Sequence, residues 1–587
     1  MVLGALLPLW GVLLSPASVL PGSELGDVYK HTWSYWHTPH ALSSWPWTEA
    51  LNAPGGGRLW DVMLLPSLLL TPVTAVAGPV LSANLWVFLS LLAIGASTRA
   101  LALEIGADRG SASVAGFVAQ GAPYLYGYPL YSGVHERLGL WLFPLVLLCA
   151  LRLKAGRGKA WAAGGVVAFA FVAAGCGVYG IWALLLLGLS LPLLRNPGES
   201  WGGLQRQIPL FAGVAIVSVG LLVSMKAVSG VDSLSPQPDR FGFFGIPWGM
   251  DFSAASFQEL VLPWKVRDSV PVDSGDALLE LAYLGWVPLG LCLVGLRDSK
   301  SRYLCGLALF FVLLSMGPEI QTGSFGWVNP VYWVVSWVVP TYGSVPVPFQ
   351  QVAVFSSLAS LGVVALSTSS TSRRKVLLIG IVLGSIGERM LVLPTGLVLE
   401  TAPATVSSVY EVVKDGDVVE LPRDYRDRSL SPTRSFLAQT HHQQGLPLSI
   451  STGVTRWDAF LPIRTGQSES WSEDLRCLAA GGFAWVVVDR EAYKSEQVAE
   501  TQLGAIQSVL GSPAVEDERW AVFALEGFGI APSEERFFKP FQPLIGMDNG
   551  GIGPPAEARG PESNLGIQSG REAARCPVRV SGMQKSY

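Results

Sequence analysis

The chain has 587 residues, of which 50% are hydrophobic and 14% charged, with a mean hydropathy of +0.40. A soluble globular protein cannot keep such a surface in water, so the composition indicates a polytopic membrane protein. The formal net charge is -4 and no long basic run occurs, which excludes nucleic acid as a partner, because phosphate backbones are held by concentrated Lys and Arg.

A helix needs about 20 apolar residues to cross the roughly 30 Å hydrocarbon core. The first such run, Met1 to Leu20, is uncharged; with no basic residue before it, it also fits a signal peptide. Val62 to Ala77 is apolar but broken by Pro66 and Pro72, which predicts a helix lying in the interface. Spanning runs follow near Pro79 to Ser97, Ser111 to Gly127, Leu138 to Leu153, Ala160 to Gly175, Tyr179 to Leu194 and Ile208 to Gly230. Further runs lie near Leu281 to Leu296, Tyr303 to Met316, Val347 to Leu366 and Val376 to Leu393. The expected architecture is an all-α domain over residues 1–400 with about eleven transmembrane helices.

Lys and Arg in short loops stay on the cytoplasmic side. Arg99 and Arg109, then Arg152, Lys154, Arg157 and Lys159, then Arg195 and Arg206, then Arg297, Lys300 and Arg302, then Arg373, Arg374 and Lys375 occupy alternate connections. The alternation puts the N-terminus in the cytoplasm and the loop around Asp27 outside, together with everything beyond Leu393. The outer loops 21–78 and 231–280 are then long enough to carry chemistry. A small extracytoplasmic α/β domain is expected over 401–540, with strands at Asp417 to Leu421, Ala484 to Asp489 and Trp520 to Leu525 and helices at Ser472 to Ala480 and Ser495 to Leu510. Residues 541–587, rich in Gly, Pro and polar residues, read as a disordered tail.

The first outer loop concentrates reactive side chains. Asp27 and His31 are four apart, hence on one face of a helix, and His37 and His40 follow among Trp33, Trp36, Trp45 and Trp47. A carboxylate at the lipid boundary, in a lower dielectric than water, makes a stronger base; the same residues also fit an interfacial aromatic belt with solvated polar neighbours. Asp27, His31 and either later His are suitable metal ligands, so a divalent cation stays open as a cofactor, although the spacing matches no strong motif. Cys149, Cys176, Cys292 and Cys305 fall in apolar runs, and Cys477 and Cys576 form no metal-ligand spacing.

Several stretches resemble a family. Gly26 to His37 (GDVYKHTWSYWH), Asn52 to Arg58 (NAPGGGR), Gly78 to Asn84 (GPVLSAN), Gly133 to Leu145 (GVHERLGLWLFPL) and Pro340 to Phe349 (PTYGSVPVPF) look like the outer loops and span starts of GT-C fold membrane glycosyltransferases. The resemblance implies transfer of a sugar from a polyprenyl-phosphate donor to a glycan, lipid or protein acceptor at the outer face of a bacterial inner (plasma) membrane. It also implies that the acid of the first outer loop, here Asp27, is the base. Asp27 stands singly, without the paired acids of some members.

A phosphate leaving group needs cationic stabilisation. His135 and Arg137, with Glu136 between them, are candidates for it, with Arg58 and Lys265 behind them; the same triplet also reads as a solvated loop with a local ion pair. His31, Asp61 and Glu49 are candidates for supporting substrate. Glu388 and Arg389, charged within the last apolar run, are candidates for the lipid phosphate or for fixing that helix. In the outer domain, His441 and His442 stand near Arg423, Asp424, Arg426, Asp427 and Arg428 and read as a charged surface loop. A lipid flippase or transporter, or a non-catalytic membrane scaffold, are the competing functions; the concentration of polar residues in outer loops rather than at mid-membrane favours an enzyme.

Overall fold

The computed structural model describes residues 2–194 apart from 25, 46, 49, 52–56 and 59–62, then 205–229, 255–263 and 282–338 apart from 323–324. It further describes 348–525 apart from 394–395, 423–433, 445, 447–466, 469 and 494. Lys265, Glu49 and Asp61, loop 231–254 and the tail 541–587 lie outside the described residues. The chain forms two compact units, Met1–His40 with Trp60–Ala404, and Ala41–Leu59 with Thr405–Tyr587.

The first unit is helical. Its elements include α1 (Val28–Ala41), α2 (Leu64–Glu104), α3 (Arg109–Gln120), α4 (Leu142–Lys154), α5 (Ala160–Gly175) and α6 (Gly177–Leu189). They continue with α7 (Ile208–Ser229), α8 (Trp286–Gly295), α9 (Arg302–Ser315), a mostly buried helical stretch Phe349–Ser367, and α10 (Thr371–Val392). α2 is two helices joined at Gly78, whose φ of 84° and ψ of 170° leave helical space. Glycine adopts that backbone without strain, and Pro79 then starts the second arm with its φ preset. Leu64 to Ala77 and Pro79 to Ser97, in separate apolar runs of the sequence, are therefore two arms of one bent element.

Among the described residues, α2 and Phe349–Ser367 are both long and apolar enough to cross a membrane, while α5, α6, α8, α9 and Ile208–Leu221 are apolar but shorter. Helix length thus establishes fewer crossings than the eleven expected from the sequence. The surface speaks for lipid contact all the same. Large apolar side chains are exposed along the helices, among them Leu69, Val76, Ile216, Val219, Ile379 and Leu383. Such a skin is costly in water and free of cost in hydrocarbon.

The basic connections converge at one end of this unit. Arg152 and Arg157 pair with Glu104 at 3.1 and 3.4 Å, Arg374 with Asp108 at 3.5 Å, and Arg206 Nη1 donates to the Lys154 carbonyl at 3.1 Å. Asp108 also caps α3, accepting from the N–H groups of Gly110 and Ser111, and these bonds with Arg374 hold its carboxyl below the usual range against the effect of burial. From Lys154 at this end, α4 runs 13 residues, about 20 Å, back to the loop that carries His135 to Arg137.

The second unit is α/β. Strands β1 (Asp417–Leu421), β2 (Phe483–Asp489), β3 (Val515–Glu516) and β4 (Trp520–Ala524) form a sheet of order β1-β2-β4-β3, with β1 and β2 parallel and the other pairs antiparallel. The core joins Val419, Leu421, Val486, Val488, Ala521 and Phe523 of the sheet to Leu475 and Leu478 of one helix and Leu503 and Ile506 of another. Here α11 is Arg434–His442, α12 Trp471–Gly481 and α13 Glu496–Leu510. Residues 41–59 belong to this unit. Gln439 Nε2 donates to the Ala50 carbonyl at 2.6 Å, and Leu51 bridges Leu446. His442 is buried and stacks on Tyr410 at 5.6 Å, with its pKa pushed down to about 3 by burial and by His441.

Candidate active site

The loop before α1 is held to the body of the first unit at several points. Val19–Pro21 pairs antiparallel with Thr401–Pro403, Asn84 Nδ2 donates to the carbonyls of Pro16 and Val19 at 2.7 and 2.9 Å, and the Tyr29 hydroxyl donates to the Pro403 carbonyl at 2.8 Å. The start of the loop and the segment just after the last helix therefore lie on the same side of this unit, as the charge alternation requires.

The loop then presses against residues 130–133. The N–H groups of Ser23 and Asp27 donate to the carbonyls of Tyr131 and Ser132 at 2.7 and 2.9 Å. A Cβ on Gly26 would sit 2.3 Å from the Ser132 oxygen, and one on Gly133, at φ 65°, 2.6 Å from the Val28 nitrogen. Glycine is required at both because the obstruction is backbone. Gly26→Ala is expected to force the two segments apart, lowering the unfolding temperature in detergent and reducing any activity that depends on Asp27; unchanged values for both would refute the close contact.

Asp27 opens α1, its carbonyl accepting the His31 N–H at 3.1 Å. Its carboxylate Oδ2 lies 3.1 Å from Lys30 Nζ, and both side chains are partly exposed, 26% and 21%. One turn on, His31 is buried and places Nε2 2.7 Å from Glu136 Oε2, while Glu136 Oε1 lies 3.6 Å from Arg137 Nε. Burial alone would raise the Glu136 carboxyl; His31, Arg137 and Lys30 outweigh it and hold the carboxyl below the usual range. Lys30 is raised above its ordinary value, Asp27 and Glu136 overcoming the opposing effect of burial.

His135 stacks on His31 with ring centroids 5.7 Å apart, and its two ring nitrogens are buried without a hydrogen-bond partner among the described residues. Burial, with His31 beside it, pushes its pKa down to about 3, so the ring is neutral at physiological pH. Arg137 Nη1 donates to Cys176 Sγ at 2.8 Å, and the Arg137 carbonyl accepts the Tyr179 hydroxyl at 3.0 Å. Cys176 is the residue at which α5 ends and α6 begins, so Arg137 pins the outer loop to the turn of that helix pair. Tyr128 OH accepts from Gln350 Nε2 at 2.8 Å, bringing the start of the buried stretch Phe349–Ser367 to the loop that supports Asp27.

Asp27, His31, His135, Glu136 and Arg137 are thus brought together from loops more than a hundred residues apart in sequence. The remaining candidates stand elsewhere. Glu388 Oε1 accepts from the Val287 N–H at 2.9 Å and the Tyr283 hydroxyl at 3.3 Å. Arg389 is fully buried with its guanidinium over the rings of Phe117 and Tyr126, donating to the Phe117 carbonyl at 3.2 Å. Both face the protein interior, as charges in an apolar helix do. Arg58 lies in a short strand of the second unit opposite Trp47. His37 stacks on Trp33 at 4.2 Å, and the His40 ring lies tilted to Trp36 at 5.3 Å. Among the described residues no three His, Cys, Asp or Glu side chains converge as metal ligands.

Sequence reasoning passed over Lys30, Cys176, Tyr179 and Gln350. Lys30 was detectable, since a cation three residues after an acid at a helix start forms a local pair; the others meet the site only through packing.

No protein-family model and no curated protein sequence matches this chain. Among solved structures it is similar to the oligosaccharyltransferase AglB of Archaeoglobus fulgidus in complex with an inhibitory peptide and a dolichol-phosphate, at 11% identity over 85% of this chain and 71% of that one, with a TM-score of 0.41. The apo form of the Archaeoglobus fulgidus oligosaccharyltransferase gives 10% identity over the same shares and a TM-score of 0.45. ArnT from Cupriavidus metallidurans bound to undecaprenyl phosphate gives 15% identity over 88% of this chain and 96% of that chain, with a TM-score of 0.38. These structures are GT-C fold glycosyltransferases, the family that the loop motifs resemble. At such TM-scores the overlap carries no functional argument, which rests on the side chains of the site.

Proposed function

We propose that this chain is an integral membrane glycosyltransferase that moves a sugar from a polyprenyl-phosphate donor to an acceptor hydroxyl at the outer face, with Asp27 as general base. The observation that carries the reading is the juxtaposition at the Asp27 loop. A partly exposed carboxylate, fixed by its backbone to a second loop, stands 3.1 Å from the Lys30 ammonium, and the second loop carries Arg137, in a helical unit with an apolar skin. Asp27 accepts the acceptor's proton as its oxygen attacks the anomeric carbon, and the bond from that carbon to the phosphate oxygen breaks. Arg137, fixed through Cys176 and Glu136, supplies positive field for the departing phosphate, and neutral His135 offers a ring N–H. Asp61 is proposed to serve the acceptor, and Glu388 with Arg389 to fix the last helix. The N-terminus is proposed to be cytoplasmic and the second unit extracytoplasmic.

The test is to incubate the purified protein with a panel of radiolabelled polyprenyl-phosphate sugars and follow release of the lipid phosphate. Consumption of one donor is expected. Repeating the assay with EDTA and then with added Mg²⁺ or Mn²⁺ decides whether a divalent cation takes part. Failure to consume any donor in the panel moves the reading to a transporter or a scaffold.

A further inference from the structure

We infer that Lys30 takes the phosphate of the lipid donor and, in leaving Asp27 to do so, frees the carboxylate that acts as base. The inference rests on the glycosyl-transfer reading above and adds to it a residue and an order of events.

The cations near the site are not equivalent. Arg137 already donates to Cys176 and neighbours Glu136, and its guanidinium lies over the Tyr179 ring at 5.9 Å. Arg389 is fully buried against Phe117 and Tyr126. Lys30 is partly exposed and, among the described residues, makes one hydrogen bond, to Asp27 Oδ2. An ammonium has three donors, so two remain for a ligand. Its four-carbon stem lets the charge swing by several ångströms while α1 stays in place. Asp27, Glu136 and Arg137 are the charged groups that act on it.

The pair at 3.1 Å creates a conflict that an exchange resolves. While Lys30 holds Oδ2, its ammonium competes with an acceptor hydroxyl for that oxygen and leaves Oδ1 to the hydroxyl. A donor phosphate competes for the same ammonium with more negative charge than one carboxylate carries. Transfer of Nζ to the phosphate leaves both carboxylate oxygens open to the hydroxyl, so the base is fully freed when donor is bound. The balance of the step follows. The hydroxyl proton passes to Asp27, the acceptor oxygen bonds to the anomeric carbon, and the electron pair of the breaking bond stays on the phosphate oxygen, whose added charge Lys30 meets.

The full-length protein in detergent, titrated with undecaprenyl phosphate and with undecaprenol while its tryptophan fluorescence is followed, tests this. The wild type is expected to prefer the phosphate. Lys30→Met should weaken phosphate binding by about 10- to 100-fold, the worth of a charged hydrogen bond, and Lys30→Arg should restore most of it. Asp27→Asn should bind the phosphate more tightly than the wild type, because Lys30 no longer has a competing carboxylate. Equal affinity of wild type and Lys30→Met, or a Lys30→Arg as weak as Lys30→Met, would overturn the phosphate contact. An unchanged affinity in Asp27→Asn would overturn the exchange. Should Lys30→Met not fold, the Lys30→Arg and Asp27→Asn affinities still decide. A wild type that binds phosphate and alcohol alike would instead overturn the glycosyl-transfer reading on which the inference rests.

Discussion

Asp27→Asn is expected to reduce glycosyl transfer by about 10²- to 10⁴-fold, the usual contribution of a positioned general base, with the unfolding temperature nearly unchanged. The substitution keeps the shape of the side chain. It also leaves both backbone bonds that fix the residue, the N–H to Ser132 and the carbonyl to His31. What it removes is the proton acceptor and one half of the pair with Lys30. Both partners of that pair are partly exposed, so its loss costs about 0–1 kcal/mol at most. The combination of intact fold and lost turnover is therefore the expected signature, read by radiolabelled transfer and by thermal unfolding in the same detergent. Full activity in the variant would remove Asp27 from the mechanism.

Glu136→Gln is expected to act on both stability and activity. Glu136 is 13% exposed and bridges His31 and Arg137, so neutralising it leaves a buried guanidinium with Cys176 and without its carboxylate. Removing one partner of a buried pair costs about 3–5 kcal/mol, which lowers the unfolding temperature by several degrees at least. The pH dependence gives a second check. The folded carboxyl is held below its ordinary value of 4.5, so the unfolded state binds its proton first as pH falls. The stability that the charge contributes is therefore fully present above about pH 5 and is lost as the pH falls below that. The difference between wild type and variant should be constant from pH 8 to about 5 and shrink at lower pH. A difference that stays constant down to pH 4 would show that the Glu136 charge does not stabilise the fold.

These two residues differ in how far the sequence reveals them. Asp27 follows an apolar run directly, and its loop lies on one side of an alternating set of basic connections. Both are one-dimensional signals, and the structure gathers Arg152, Arg157, Arg206 and Arg374 at one end of the helical unit, a helix length from the acidic loop. The bend at Gly78 was equally legible, because a glycine followed by a proline interrupts two apolar runs. Strands β1, β2 and β4 carry their own pattern of Val and aromatic residues and lie within a residue or two of where that pattern ends. Glu136 carries no such signal: a carboxylate between His and Arg in a loop reads as a solvated local pair. Its role appears only when His31, about a hundred residues earlier, is packed against it at 2.7 Å.

The sequence by itself determined the apolar helical runs and the break between helices at Gly78, and set the expectation for the side on which the reactive loop lies, because apolar run length, charge position and Gly or Pro placement act locally along the chain. Tertiary structure alone decided which of the charges meet. It turned His31 and Glu136 toward each other, seated Arg137 on the turn at Cys176, and left Glu388 and Arg389 inside the helical body. Such pairings depend on distances between segments far apart in sequence, and those distances are fixed by side-chain packing and by the close approach of glycine backbones at Gly26 and Gly133, which no local pattern encodes.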